Sequence, residues 1–460
     1  MRLTTFVAGT GVLWLVLACG DGFAATSDSL PEPRPLGREL SVTVPEAPAS
    51  ELTLATIPGE LTMRQALALA LLYNPELAAF SWEARAKEAE ALQAGLLPNP
   101  ELGIEMENFA GDGEFSGTDT AETTVTLSQL IELGGKRGKR QAAANLEAEL
   151  AGWDFETRRL DVLTATAKSF VAVLAAQERL GQADELAKLA ERFFHTVSER
   201  VEAGKVSPVE QTRAQVPLSA ARIAQDRARL TLEATRKELA ALWSGETASF
   251  EHAVGSLESI APVPSREQLE YLLGQNPDVA RWESEEQQRS ARLALERANA
   301  IPDLTLFAGG RNFQETDDNA FVAGISIPLP LFDRNQGGIA AARAARSKAM
   351  EEERAARNQA VASLAAGYRD LSGAFVEART LHEQILPAAV ESFEAVNLGY
   401  REGKFGFLEV LDAQRTLFEV RGQYIEALAT YHQAKAEVER LIGAPLGTAM
   451  TNNGQEKKIK

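Results

Sequence analysis

Only one cysteine and four histidines occur in the 460 residues. A lone Cys19 has no partner thiol, which excludes an intrachain disulfide. His195, His252, His382 and His432 are scattered, and none has a second His or a Cys at ligand spacing, so no metal site is expected. No nucleophile-elbow, Walker or dinucleotide-binding loop stands at a strand-to-helix junction, so neither a cofactor nor enzyme activity is expected. Basic residues are in deficit, 47 Lys and Arg against 65 Asp and Glu, for a formal net charge of -18. Phosphate backbones need clustered Lys and Arg, which argues against a nucleic-acid partner. The balance fits a solvated acidic exterior or a cavity that tolerates cations. Beyond the first residues, no second long apolar run is evident. If the chain enters a membrane it must do so as a β-barrel, the alternative to helices for satisfying a backbone in lipid.

What is present begins with a secretory signal. Arg2 is followed by an uncharged apolar stretch from Leu3 to Ala18, then Cys19 and small residues, too short to span a bilayer. Residues 1–25 are read as a signal peptide. Val16-Leu17-Ala18-Cys19 resembles a lipobox, which would make Cys19 a lipid anchor, whereas Gly22-Phe23-Ala24 suits an ordinary signal peptidase. Residues 26–58, rich in Pro, Ser and Glu without a sustained period, read as an extended linker.

The decisive pattern is an internal duplication. Asn74-Pro75-Glu76-Leu77 returns as Asn276-Pro277-Asp278-Val279, and Pro100-Glu101-Leu102 as Pro302-Asp303-Leu304, both offset by 202 residues. Ala203-Gly204-Lys205 returns as Glu402-Gly403-Lys404 at 199, and Glu210 and Ala214-Gln215 match Glu409 and Ala413-Gln414 at the same 199. Four anchors in register do not arise by chance. We assign the first repeat to 59–244, an inter-repeat equatorial segment to 245–265, the second repeat to 266–443 and a flexible tail to 444–460.

Each repeat reads alike. A helix runs from Pro75 to Leu97, or Pro277 to Ala300, with Pro in the first turn, where its missing N–H costs nothing. Two strands follow. Leu102, Ile104 and Met106 alternate with Glu101, Gly103, Glu105 and Glu107, and Val125 and Leu127 with Thr124, Thr126 and Ser128. In the second repeat Leu304, Leu306 and Ala308 alternate with Asp303, Thr305 and Gly309, and Phe321, Ala323, Ile325 and Ile327 with Val322, Gly324 and Ser326. An apolar face against a polar one, with Phe109, Phe313 and Phe321 near one end, is the pattern of membrane barrel strands as well as of a half-buried hairpin. Context favours the barrel. Very long helical stretches, Leu133–Val201 and Asp333–Tyr400, follow the strand pairs and would extend roughly 100 Å. Pro387 is expected to kink the second. Each ends at a glycine, Gly204 or Gly403, and a return helix starts near Pro208 or Phe407. Val209, Val216, Ile223 and Leu230 lie seven apart, as do Leu411, Phe418 and Ile425, with Val410, Leu417, Tyr424 and Tyr431 beside them, which reads as coiled-coil seams. Four strands per chain are too few for a barrel, which needs about eight, so a ring of identical subunits must complete it.

Two polar motifs remain. Gly134-Gly135-Lys136-Arg137-Gly138-Lys139-Arg140 lacks the end of a phosphate loop and reads as a basic collar near a membrane surface or a solvated turn. Glu409 and Asp412, three apart, share a helix face. In a ring they would stack carboxylates as cation-selective constrictions do, although an acidic helix start explains them too.

The arrangement resembles the TolC-type outer-membrane efflux channel family from about Leu61 to Gly443. The resemblance is carried by the duplicated order, by Asn-Pro at each repeat start, by Tyr400-Arg401-Glu402-Gly403-Lys404 running on to Leu408-Glu409-Val410-Leu411-Asp412-Ala413-Gln414, and by Ser128-Gln129-Leu130-Ile131-Glu132-Leu133-Gly134-Gly135-Lys136-Arg137. It implies a mainly α fold with a small β part, long antiparallel hairpins, and a homotrimer whose twelve strands form one barrel in outer-membrane lipid above a periplasmic helical tunnel. It also implies a passive channel fed by an inner-membrane pump through a periplasmic adaptor. An acidic ring and a tyrosine network would close the tunnel. Glu409 and Asp412 match the ring, Tyr400 the tyrosine and Glu210 its acidic partner, while Phe405 stands where the prototype has arginine. The adaptor would dock at tips formed by Gly204, Lys205, Gly403, Lys404 and Phe405. Glu132-Leu133-Gly134-Gly135-Lys136-Arg137 is most similar to the branch serving heavy-metal pumps of the RND class. A periplasmic adaptor with a single hairpin, or a structural coiled-coil protein, is the alternative. The first does not account for two hairpins, nor the second for amphipathic strand pairs.

Overall fold

The computed structural model describes residues 59–245 and 249–447. The readings of residues 1–25, Cys19 and the 26–58 linker lie outside the described residues, as does 448–460.

The first repeat comprises strand β1 (Glu60–Thr62), helices α1 (Met63–Tyr73) and α2 (Pro75–Ala94), strands β2 (Glu101–Glu107) and β3 (Glu122–Ile131), and helices α3 (Lys136–Glu202) and α4 (Pro208–Ala241). The inter-repeat segment carries β4 (His252–Val254), and the second repeat comprises α5 (Arg266–Leu272), α6 (Pro277–Asn299), β5 (Leu304–Phe313), β6 (Asp318–Ser326), α7 (Gln336–Thr380), α8 (Leu386–Arg401) and α9 (Phe407–Ile442). Both Asn-Pro anchors do two jobs. The Asn74 side-chain oxygen accepts from Leu77 N–H at 2.9 Å, capping α2, while its amide donates to the Leu242 carbonyl at 2.9 Å. Asn276 accepts from Asp278 N–H at 2.7 Å and donates to the Arg440 and Leu441 carbonyls at 2.6 and 3.0 Å. Each buried asparagine thus fastens the start of its repeat to the end of the same repeat's return helix.

Around the middle of the rods, β1 and β4 pair in parallel. Leu61, Leu69, Phe170, Val173, Trp243 and Phe250 share one buried cluster there, and Leu269, Leu371, Tyr431, Val438 and Ile442 another. Burying each large side chain contributes roughly 2–3 kcal/mol. One window of α3 is apolar enough by composition to cross a membrane, an apolar run not singled out in the sequence. Half of it is buried, and Phe170 and Val173 explain it as the core-facing part of a long helix.

The structure sharpens three sequence readings. Pro387 is preceded by a five-residue π turn, Leu381–Ile385, and sits in the first turn of α8. The wider turn absorbs the ring and the missing N–H, so the helical rod is interrupted rather than ended. Along α4, Val209, Val216, Ile223 and Leu230 are 56, 67, 54 and 65% exposed, whereas Ala214, Leu218 and Ala221 face the chain's interior. In α9 Val410, Leu417, Tyr424 and Tyr431 are buried. The stripe on α4 is therefore not a seam within the chain. Finally, the collar's charges are largely consumed locally. Buried Lys136 pairs with Asp303 at 2.8 Å, Arg140 with Glu132, and Lys139 donates to the Gly134 carbonyl.

The four long strands form an antiparallel sheet in the order β2-β3-β5-β6. Register places Leu102, Ile104, Val125, Leu127, Leu306, Phe321 and Ile325 on one face, and they are 41 to 101% exposed. The opposite face carries Glu105, Glu107, Glu122, Thr124 and Arg311. Phe313, opposite Glu122, falls on this polar face, and Phe109 lies beyond β2, so of the three aromatics only Phe321 belongs to the apolar face. The Phe307 ring covers Gly324, where a Cβ would stand 2.3 Å from the ring.

Candidate functional site

The far ends of the two helical hairpins converge on one groove. Each outgoing helix stops in a turn closed by backbone bonds: Lys205 N–H donates to the Arg200 carbonyl at 2.9 Å, and Lys404 N–H to the Gly399 carbonyl at 2.8 Å. Gly204 and Gly403 occupy the left-handed region, φ +67° and +76°, which a side chain would strain. Ser207 then accepts from Val209 N–H at 3.4 Å and Pro208 opens α4, whereas α9 starts after Gly406 without a side-chain cap.

The groove, about 580 Å³, is lined among others by Arg200, Glu210, Arg213, Tyr400, Phe405 and Glu409. Three of the four proposed gate residues thus meet in a single chain. Asp412 does not line the groove. It lies exposed one turn further along α9. Arg200 donates to the Tyr400 hydroxyl at 3.0 Å, and the Phe193 and Tyr400 rings are 6.1 Å apart. Glu210 pairs with Arg213 at 2.9 Å on its own helix. Within one chain the polar link to Tyr400 comes from Arg200.

Of the tip residues, Lys404 pairs with Glu402 at 2.6 Å and Lys205 is exposed. Phe405 folds back over Gly399, where a Cβ would meet its ring at 2.3 Å. A bulky apolar side chain thus plugs the last turn of α8. Beside the groove, Val216, Pro217, Leu408 and Leu411 form an apolar recess that joins the two return helices.

Arg200 and Arg213 were missed in the sequence, although the duplication held a signal. At the offset of 199, Glu210 falls on Glu409 and Arg213 on Asp412. The first tip carries a neutralised pair where the second carries two acids. Such a site can filter ions by charge. Among the described residues no cluster of three or more His, Cys, Asp or Glu is placed to hold a metal ion.

Residues 66–245 and 269–444 match the family of outer membrane efflux proteins, one match falling on each repeat. The cobalt-zinc-cadmium resistance protein CzcC of Cupriavidus metallidurans is 37% identical over 385 residues, covering 84% of this chain and 90% of that protein. The nickel-cobalt-cadmium resistance protein NccC of Alcaligenes xylosoxydans xylosoxydans is 29% identical over 316 residues, covering 67% and 70%. Among solved structures, the fold is similar to the outer membrane protein VceC of Vibrio cholerae, with a TM-score of 0.70 at 18% identity over 84% of this chain and 96% of that one. CusC gives 0.64 at 18% identity over 83% and 92%. The chain belongs to the outer membrane efflux protein family.

Proposed function

We propose that three copies of this outer-membrane efflux channel close a twelve-stranded barrel, continue it as a periplasmic tunnel, and passively conduct heavy-metal cations delivered by an inner-membrane RND pump through a periplasmic adaptor. One observation carries the assembly: β2 and β6 are edge strands of an exposed apolar sheet. Such edges are a liability unless paired. Because the order is antiparallel and the strand number even, β6 of one copy meets β2 of the next with the alternation intact. The exposed stripe of α4 supports packing against a neighbouring rod in the same ring.

At the other end, the tips at Gly204, Lys205, Gly403, Lys404 and Phe405 receive the adaptor, and the gate is formed by Glu409, Asp412, Tyr400 and Glu210. Docking separates the helices and widens the acidic constriction. Identity to CzcC over most of both chains supports divalent transition-metal cations as cargo. The assembly is tested by migration of outer-membrane protein in detergent gels before and after heating. A band collapsing to the single-chain position on heating is expected, and an unchanged single-chain band would refute the trimer. Cargo is tested by growth of a deletion strain on cobalt, zinc and cadmium salts. Metal tolerance equal to the parent's would refute the cation assignment.

A further inference from the structure

Arg311 is the sole Lys or Arg among the residues of the four long strands, where five acids stand: Glu101, Glu105, Glu107, Glu122 and Asp318. Register places all six on the polar face. Glu105, Thr124 and Arg311 lie in one row, and Glu107, Glu122 and Asp318 in the next. The guanidinium is pinned by all three of its nitrogens. Nε donates to Thr124 Oγ1 at 2.8 Å, one terminal nitrogen reaches Glu122 at 2.8 Å, and the other reaches Glu107 at 3.2 Å. Glu122 is held from its second oxygen by the Asn108 amide at 3.0 Å. Planar, permanently charged and locked between two carboxylates, Arg311 is a fixed counter-charge and not a mobile surface cation.

We propose that Arg311 determines ion specificity at the loop end of the barrel, by cancelling carboxylates that would otherwise make this face strongly cation-attracting. The inference rests on the reading that the polar face lines a lumen shared by several chains. In a trimer, three such arginines would form a ring of positive charge inside an acidic wall. A pore wall's charge acts over the screening length, about 10 Å at 0.1 M salt and about 3 Å at 1 M. The residue's effect on permeant ions is therefore salt-dependent in a way that a merely structural bond is not.

The test is reversal potential in planar bilayers, with purified full-length protein under a salt gradient. R311Q should at least double the cation-to-anion permeability ratio near 0.1 M salt and change it little near 1 M. E107Q removes one of the two carboxylates paired with Arg311 and leaves a neutral Arg311–Glu122 pair, which should move the ratio the other way. R311K should stay near the parent value. Opposite signs for R311Q and E107Q separate a charge effect from a loosened sheet, which would move both alike. If both variants keep the parent ratio, or both shift in one direction, Arg311 has no such role. Thiol modification of T126C, on the same polar face, keeps the two readings apart. A negatively charged, membrane-impermeant thiol reagent should alter its conductance. A channel indifferent to it would overturn the lumen assignment itself, and Arg311's role with it.

Discussion

The two hairpin tips are copies of one design with different charge. In the first, Glu210 is paired three residues on with Arg213. In the second, the matching Glu409 is followed by Asp412. An exposed pair of the first kind adds only about 0.3–0.5 kcal/mol to a helix, so stability is a weak reason for the difference. Its consequence is electrostatic. After duplication one tip is free to neutralise itself while the other concentrates like charge at the start of α9, near the positive end of the helix macrodipole. In the proposed gate only one of the two tips need carry the acids.

The strongest way to break that comparison is to exchange the tips. Asp412→Arg makes the second tip resemble the first and should reduce the cation preference of single channels several-fold, with conductance falling. Glu409→Gln combined with Asp412→Asn should also lower cation preference, but raise conductance by relieving repulsion at the constriction. Arg213→Asp, which frees Glu210 and adds an acid, should increase cation preference. Selectivity unmoved by all three would remove the gate from this site.

The next largest effect sharpens the comparison at the other end of each repeat. Asn276 holds two carbonyls and Asn74 one, besides the caps that both supply. Losing a buried amide's bonds costs about 1–3 kcal/mol. Asn276→Ala should therefore lower the temperature at which the detergent-solubilised protein loses helical circular dichroism, and by more than Asn74→Ala. An equal or reversed order would deny that the second repeat is the more tightly fastened.

These asparagines show what the sequence could and could not disclose. Their position before Pro75 and Pro277 announces a helix start, because capping is a matter of neighbouring residues. Their second role spans 168 residues in one repeat and 164 or 165 in the other, beyond any local pattern. The strands were legible through the alternation of Leu102 with Gly103 and of Ile104 with Glu105, since a period of two is local. The stripe Val209-Val216-Ile223-Leu230 had legible spacing but an illegible partner. Shifted by 199, it falls on Leu408, Arg415, Gly422 and Ala429, not on Leu411, Phe418 and Ile425. The run from Leu411 is three positions on and so neighbours it on one face, whereas the buried run Val410, Leu417, Tyr424 and Tyr431 is two positions on, about 200° round the helix. At the tip, Glu210 and Glu409 were found through repetition. Arg200 was not, because Tyr400, its partner, has Val201 as its counterpart.

A smaller effect is expected at that bond. Tyr400→Phe removes the acceptor for Arg200 and leaves the ring near Phe193. An exposed hydrogen bond of this kind contributes about 1 kcal/mol or less. The channel's open fraction should rise no more than about fivefold, with selectivity unchanged because no fixed charge is lost. A change in selectivity would show that Tyr400 acts on the permeant ion and not on closure.

The last contrast lies where the return helices end, and concerns a buried alanine against an acid. Ala240 is fully buried, and its counterpart at the same offset, Glu439, is half-buried beside an apolar pocket also lined by Arg64 and Arg440. The Glu439 carboxylate accepts from Leu446 N–H at 2.9 Å and lies 3.9 Å from Lys435. Burial raises its pKa above the ordinary glutamate range, with the Leu446 bond and Lys435 opposing the shift. A carboxyl that holds its proton more tightly in the folded state makes that state bind more protons than the unfolded one. Its contribution is complete below the unfolded value and is lost as pH rises through the raised folded value, so this site costs stability at neutral pH. Glu439→Gln keeps an acceptor for Leu446 and carries no charge. Thermal unfolding of the variant in detergent should vary less between about pH 4.5 and neutrality than the parent's, and its neutral-pH midpoint should lie slightly higher. A parent and variant with parallel pH profiles would show that Glu439 is ionised in the fold at no cost, and that the second repeat tolerates an acid where the first buries alanine.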